Sequence, residues 1–190
     1  MVIIMKDLVK VMDYEKISRQ ALDAGFTNVG QLDTSTLEFL PEVREMCSAD
    51  KCNRYNKSWA CPPACGTLDE MREKVSGYSR GIIVQTVGQL EDSYDWEGIQ
   101  GAAMRQGESF EKLWKELKAD FPGLLAMGSG GCSRCKECTY PEGKPCRYPD
   151  ELSASMEACG LYVSKVCTDN GVKYNYGPNT IAYTGCFLLE

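Results

Sequence analysis

The chain has 190 residues, of which 43 % are hydrophobic and 25 % charged, the balance of an ordinary globular protein. Its net charge of −6, from 27 acidic and 21 basic residues, argues against broad binding to nucleic-acid phosphates. It contains eleven cysteines and no histidine, which excludes histidine-based acid–base chemistry and His-ligated metal within the chain and leaves sulfur as the main ligand.

The start, Met1 to Met12, is apolar, but it is too short to span a bilayer and is interrupted by Lys6, Asp7 and Lys10. It shows no secretory cleavage pattern, so the expected location is cytoplasmic, with no membrane association. In a reducing compartment the cysteines stay available to metal, and their odd number fits a disulfide scaffold poorly.

Taken in chain order, the pattern predicts a first helix from Tyr14 to Ala24, capped by Asp13 and ended by Gly25. Asn28 to Leu32 reads as a weak strand. Cys47 to Cys65 is rich in Pro, Asn and Lys and reads as irregular. Thr67-Leu-Asp-Glu70 has the form of a capping box opening a helix to about Val75. Gly81 to Val87 is the clearest strand, with Ile82, Ile83 and Val84 in succession. A long polar helix follows, with a break expected near Gly107. Its Phe110, Leu113, Trp114 and Leu117 form a stripe for the core. Leu124 to Met127 reads as a short buried strand leading into Gly128-Ser-Gly-Gly131. Pro149-Asp150 is expected to start a short helix through Met156. Another helix is expected over Leu161 to Asn170, ended by Gly171, and a last strand over Ile181 to Leu189. The alternation predicts an α/β or α+β fold: one domain over residues 1–190, with a central mixed sheet and cysteine-rich metal-binding loops, 47–65 and 132–146, at one edge.

Cys132, Cys135, Cys138 and Cys146 are spaced C-x2-C-x2-C-x7-C. Three thiolates on one curled loop, with a fourth arriving from farther along, suit a [4Fe–4S] cluster. A zinc ribbon presents two separated C-x2-C pairs instead, so zinc is the alternative. Gly128, Gly130 and Gly131 let backbone N–H groups approach such a cluster, and Arg147 stands ready either to offset its charge or to be solvated. Cys47, Cys52, Cys61 and Cys65, spaced C-x4-C-x8-C-x3-C, form a less regular group for a second [4Fe–4S] cluster or for zinc. Pro62 and Pro63 stiffen it. Within this group Trp59 and Lys57 are read either as cover and solvated charge or, with Tyr55, as lining for a partner or substrate. Cys167 and Cys186 read as buried apolar thiols, and Cys159 stays open between buried thiol and alternate ligand.

The segments Lys57-Ser-Trp-Ala-Cys-Pro-Pro-Ala-Cys65, Cys132-Ser-Arg-Cys-Lys-Glu-Cys138, Pro145-Cys-Arg147 and Ser155-Met-Glu-Ala-Cys-Gly160 occur in this order. Together they resemble the predicted metal-binding, cysteine-rich proteins of unknown function found mainly in anaerobic bacteria and archaea. The resemblance implies metal at the cysteine motifs and brings no settled reaction with it.

Three functions compete. The first is an iron–sulfur protein with two clusters, passing single electrons to or within a redox enzyme system through a partner protein. The second is an enzyme or accessory factor with an open iron position, sought at the first group. The third is a zinc-stabilised, non-redox binding module. No nucleotide fingerprint supports the second, since Gly128-Ser-Gly-Gly131 lacks the G-x-G-x-x-G spacing. The sequence names no catalytic residue and no oligomeric state.

Overall fold

The computed structural model describes residues 12–190; the apolar start up to Val11 lies outside the described residues. Four strands, β1 (Asn28–Asp33), β2 (Arg80–Gln89), β3 (Leu125–Met127) and β4 (Thr180–Leu188), form one sheet in the order β1-β2-β4-β3. Every ladder between them is antiparallel, where a mixed sheet was expected, so the α+β alternative describes the fold.

The sheet is buried on both faces, and the period-2 alternation sorts its side chains. Ile82, Val84, Phe187 and Leu189 face one way, toward α1 (Tyr14–Ala24) and α4 (Trp96–Asp120). Leu32, Ile83, Cys186 and Leu188 face the other way, against α3 (Leu68–Ser76), α5 (Val163–Asp169) and the Met156–Leu161 segment. The remaining helix, α2 (Pro41–Glu45), leads into a 3-10 turn, Met46–Ala49, that carries Cys47. Burial on both faces explains the unbroken Ile82–Val84 run, which a half-exposed strand would interrupt with polar residues.

Local chemistry sets the helix ends. The Asp13 carboxylate accepts from the Lys16 N–H at 3.1 Å and starts α1. Gly25 ends it at φ +114°, where a Cβ would also meet Ser109 Oγ at 2.7 Å. Thr67 and Glu70 exchange both bonds of the capping box at α3.

Three expectations need correction. α4 runs unbroken for 25 residues through Gly107. Gly107 sits on the outer face with nothing near its missing Cβ, so it costs only about 1 kcal/mol of helix propensity. Burial of Leu113 and Leu117 on the same helix outweighs that. Pro149 starts only a 3-10 turn, Pro149–Glu151, because the chain beyond it pairs as a strand would. Gly128 N–H donates to Ala154 O at 2.9 Å and Met156 N–H to Gly128 O at 3.0 Å. The helix expected from Leu161 begins at Val163, since Leu161 bridges Phe39 instead. Among the described residues no helix is long and apolar enough to cross a membrane.

Candidate metal centres

All eleven cysteines are free thiols.

Cys132, Cys135, Cys138 and Cys146 line one small cavity, closed by Ser58, Trp59, Arg134 and Arg147. The seven-residue spacer before Cys146 folds back through a 3-10 turn at Tyr140–Glu142, with Gly143 at φ +66°. The Thr139 hydroxyl donates to Pro145 O at 2.8 Å and the Lys144 N–H to Thr139 O at 3.2 Å, which closes the loop. Cys138 is the best-supported sulfur. Partial burial is the largest single influence on it and opposes its thiolate. Backbone N–H groups of Tyr140, Trp59 and Thr139 and the Ser58 hydroxyl together outweigh burial and hold its pKa below the ordinary thiol value. Arg147 hydrogen-bonds to the Cys135 sulfur and donates from Nη1 to Glu137 O at 2.9 Å. Arg147 is exposed and lines the cavity beside the thiols, so it is solvated while its charge stands near them. Burial, followed by the neighbouring Cys146 and Cys135, pushes the Cys132 thiol up.

The first group is built differently. Cys47, Cys52 and Cys61 line a cavity of about 410 Å³, together with Tyr55, Glu157 and residues 181–184 of β4. Cys65 does not line it. Its sulfur accepts from Arg44 Nη2 at 3.6 Å and donates to Ala158 O at 3.7 Å. Burial raises the Cys65 thiol pKa, and the Arg44 guanidinium works against that rise. Burial first, then the Cys52 sulfur, pushes Cys61 up to about 11. Desolvation and then Cys52 also raise Cys47. Among the described residues no three Cys, Asp or Glu side chains converge closely enough to hold a single metal ion. A tetrahedral zinc–thiolate site needs sulfurs about 4 Å apart.

The two groups interlock. The Trp59 indole N–H donates to Lys144 O at 3.1 Å, and the ring meets Tyr140 edge-on. Tyr140 O–H donates to Asn56 Oδ1 at 3.1 Å. One groove is lined by both Cys52 and Cys138. Lys57 is paired with Asp50 at 2.7 Å, Trp59 covers the thiols, and Tyr55 faces the large cavity.

Sequence reasoning missed Arg44, Arg54 and Ser58. Arg54 reaches across to Cys132 O at 3.4 Å, and a Cβ on Gly131 would press on its side chain. It also assigned the glycine run to the second group alone. Ser129, Gly130 and Gly131 in fact line the first group's cavity, and none of them lines the cavity that all four thiols of the second group share. The placement of Arg44 three residues before Cys47 and of Ser58 three before Cys61 was the available signal.

Cys167 and Cys186 are fully buried in the core, as expected. Cys159 is buried at 1 % exposure, and desolvation, followed by the Cys65 sulfur, pushes it up to about 12. It belongs to the core packing.

An α+β core thus carries two neighbouring cysteine-lined sites, a framework suited to bound metal. The chain belongs to the DUF2284 family, described as predicted metal-binding protein, whose profile matches residues 30–189. No curated protein and no solved structure matches it.

Proposed function

We propose that this is an iron–sulfur redox protein with two [4Fe–4S] clusters, one held by Cys132, Cys135, Cys138 and Cys146 and the other by Cys47, Cys52, Cys61 and Cys65. The observation that carries this reading is the second cavity. Four thiols line it, and three N–H groups and a hydroxyl favour the thiolate form of one of them, Cys138. Such donors stabilise the negative charge that cluster sulfurs carry. The donor set fits an iron–sulfur core: it is all sulfur, it lines one cavity, and Arg134 and Arg147 stand at its wall.

When bound, such clusters supply one-electron oxidation and reduction. The chain's own residues do the rest. Trp59 excludes water from the second group, Arg147 offsets negative charge at Cys135, and the Trp59–Tyr140 contact fixes the two sites side by side. Cys52 is exposed, and Lys57 and Lys136 line the groove it shares with Cys138, which offers a partner protein a way in. The expected activity is electron transfer to such a partner.

A second reading has its own support. Only three thiols of the first group face the 410 Å³ cavity, which suits an enzyme or accessory factor with an open iron position there. Anaerobic purification followed by metal and sulfide analysis tests both. Brown protein with roughly eight iron and eight sulfide per chain is expected. Colourless protein with stoichiometric zinc would sink both readings and leave the zinc-stabilised binding module.

A further inference from the structure

The first group's cavity exists because β3 stops short. β3 pairs Leu125 with Leu188 and Met127 with Cys186. Continued two residues at a time, it would set Ser129 opposite Thr184 and Gly131 opposite Ala182. Instead Gly128 turns away and bridges Ser155. The gap between Ser129–Gly131 and Ile181–Thr184 is the cavity.

Backbone phase then decides what faces into it. Leu90 N–H donates to Asn179 O at 2.8 Å and Leu189 N–H to Arg80 O at 3.0 Å, which fixes the β2–β4 ladder. Odd-numbered residues of β4 turn their N–H and C=O toward β2, and even-numbered ones turn theirs away. Ala182 and Thr184 therefore aim theirs at the open edge, where none of the described strands takes them. The Ala182 carbonyl and the Thr184 N–H flank the inward-turned peptide of Tyr183. They stand side by side, acceptor next to donor, within one two-residue repeat of ~7 Å. Unpaired backbone groups at a half-buried edge call for a partner. The rest of the wall is mostly apolar, with Pro62, Val163 and Ile181, and Tyr174 stands over it.

The geometry points to this cavity as the binding site for a flat, largely uncharged heterocycle carrying a cyclic amide edge. The amide N–H donates to Ala182 O and its C=O accepts from Thr184 N–H. The planar body lies between the apolar wall and Tyr174, and its far end reaches Cys47, Cys52 and Cys61. The volume of about 410 Å³ admits a two- or three-ring molecule. That metal stands at the cysteine end rests on the function proposed above; the cavity and its amide edge do not.

Lumichrome, a fluorescent tricycle with such an edge, is the probe, and phenazine, of similar shape without the N–H, is its control. Each is titrated into anaerobically purified protein whose iron and sulfide have been measured. Lumichrome is expected to bind at least tenfold more tightly than phenazine. Thr184→Pro removes the edge donor without taking a ladder bond from β2 and should weaken lumichrome at least tenfold. Thr184→Val, which loses only the hydroxyl, should not. Tyr174→Ala, at an exposed wall position, gives a second weakened variant if the proline variant does not fold. Equal binding of the two probes, or preferential binding of an extended capped tetrapeptide along the edge, overturns the assignment. Discriminating binding to iron-free protein upholds the cavity and removes the cluster reading; iron-loaded protein that ignores lumichrome does the reverse.

Discussion

Trp59 and Tyr140 meet edge to face with ring centroids 4.9 Å apart, and this contact joins the two cysteine segments across 81 residues of chain. The indole N–H adds a bond to Lys144 O, inside the spacer that returns Cys146 to its group. One side chain thus serves as cover, clamp and loop tie.

Replacing Trp59 separates these roles. Trp59→Phe keeps a ring and loses the N–H bond, a cost of about 0.5–1.5 kcal/mol. Trp59→Ala also loses the edge-to-face contact and the ring's buried area, for a total of about 3 kcal/mol. Chemical denaturation of both variants should show that order, and the alanine variant should lose metal faster to a chelator.

The cysteine sets predict different stoichiometries. On the proposed two-cluster reading, Cys138→Ala should forfeit roughly half of the bound iron and sulfide, one cluster of the two. Cys186→Ala should keep all of it and cost about 1–2 kcal/mol for the core cavity it leaves. Metal analysis beside thermal denaturation reads both. Iron lost equally from the two variants contradicts the assignment.

The elements most legible in the sequence are those fixed by neighbours along the chain. Asp13 and Gly25 bound α1, and Thr67 with Glu70 opens α3, because caps are local hydrogen-bond arithmetic. The nearness of Cys132, Cys135, Cys138 and Cys146, which line one cavity, was legible for the same reason, since spacing is a property of one loop. What escaped depends on contacts far apart in the chain. Gly107 was read as a breaker by its propensity, but the core beneath α4 overrules it. Pro149 looked like a helix start until Ala154 and Met156 took Gly128 as partner. The glycine run's role at the first cavity follows from where β3 ends against β4, which no local pattern encodes.

Gln106 gives a stability prediction. It is 4 % exposed on α4, and neither its side-chain oxygen nor its nitrogen has a partner among the described residues. Burying an unpaired amide costs about 1–3 kcal/mol. Gln106→Leu, of similar size, should therefore stabilise the fold by about 1 kcal/mol, seen as a rise of about 2–4 °C in Tm. A fall in Tm would mean that the amide is paired through water in the adjoining cavity.

Glu111 sets a pH dependence. Hydrogen bonds from Lys115 and Arg134 hold its carboxyl below the ordinary value of 4.5. A depressed folded-state pKa contributes stability that is present above pH 4.5 and lost as pH falls through the lower folded value. The groups are largely solvated, so the contribution is under about 1 kcal/mol and shrinks in salt. Glu111→Gln should lose this increment at pH 7, and the difference from the parent protein should close in acid. Arg134 sits inside the second cysteine loop and also pairs with Glu151 at 3.2 Å, so the same variant should loosen that loop from α4.

The interlock of Ser58 and Trp59 with Cys138 has a thermodynamic consequence. Ordering the Cys52–Cys61 segment around its own metal also sets the donors of the other group. Whatever free energy one occupant adds to its neighbour's binding, the neighbour must return in equal measure. With one occupant in place the neighbouring site binds more tightly, so the half-filled form is scarcer than two independent sites would make it.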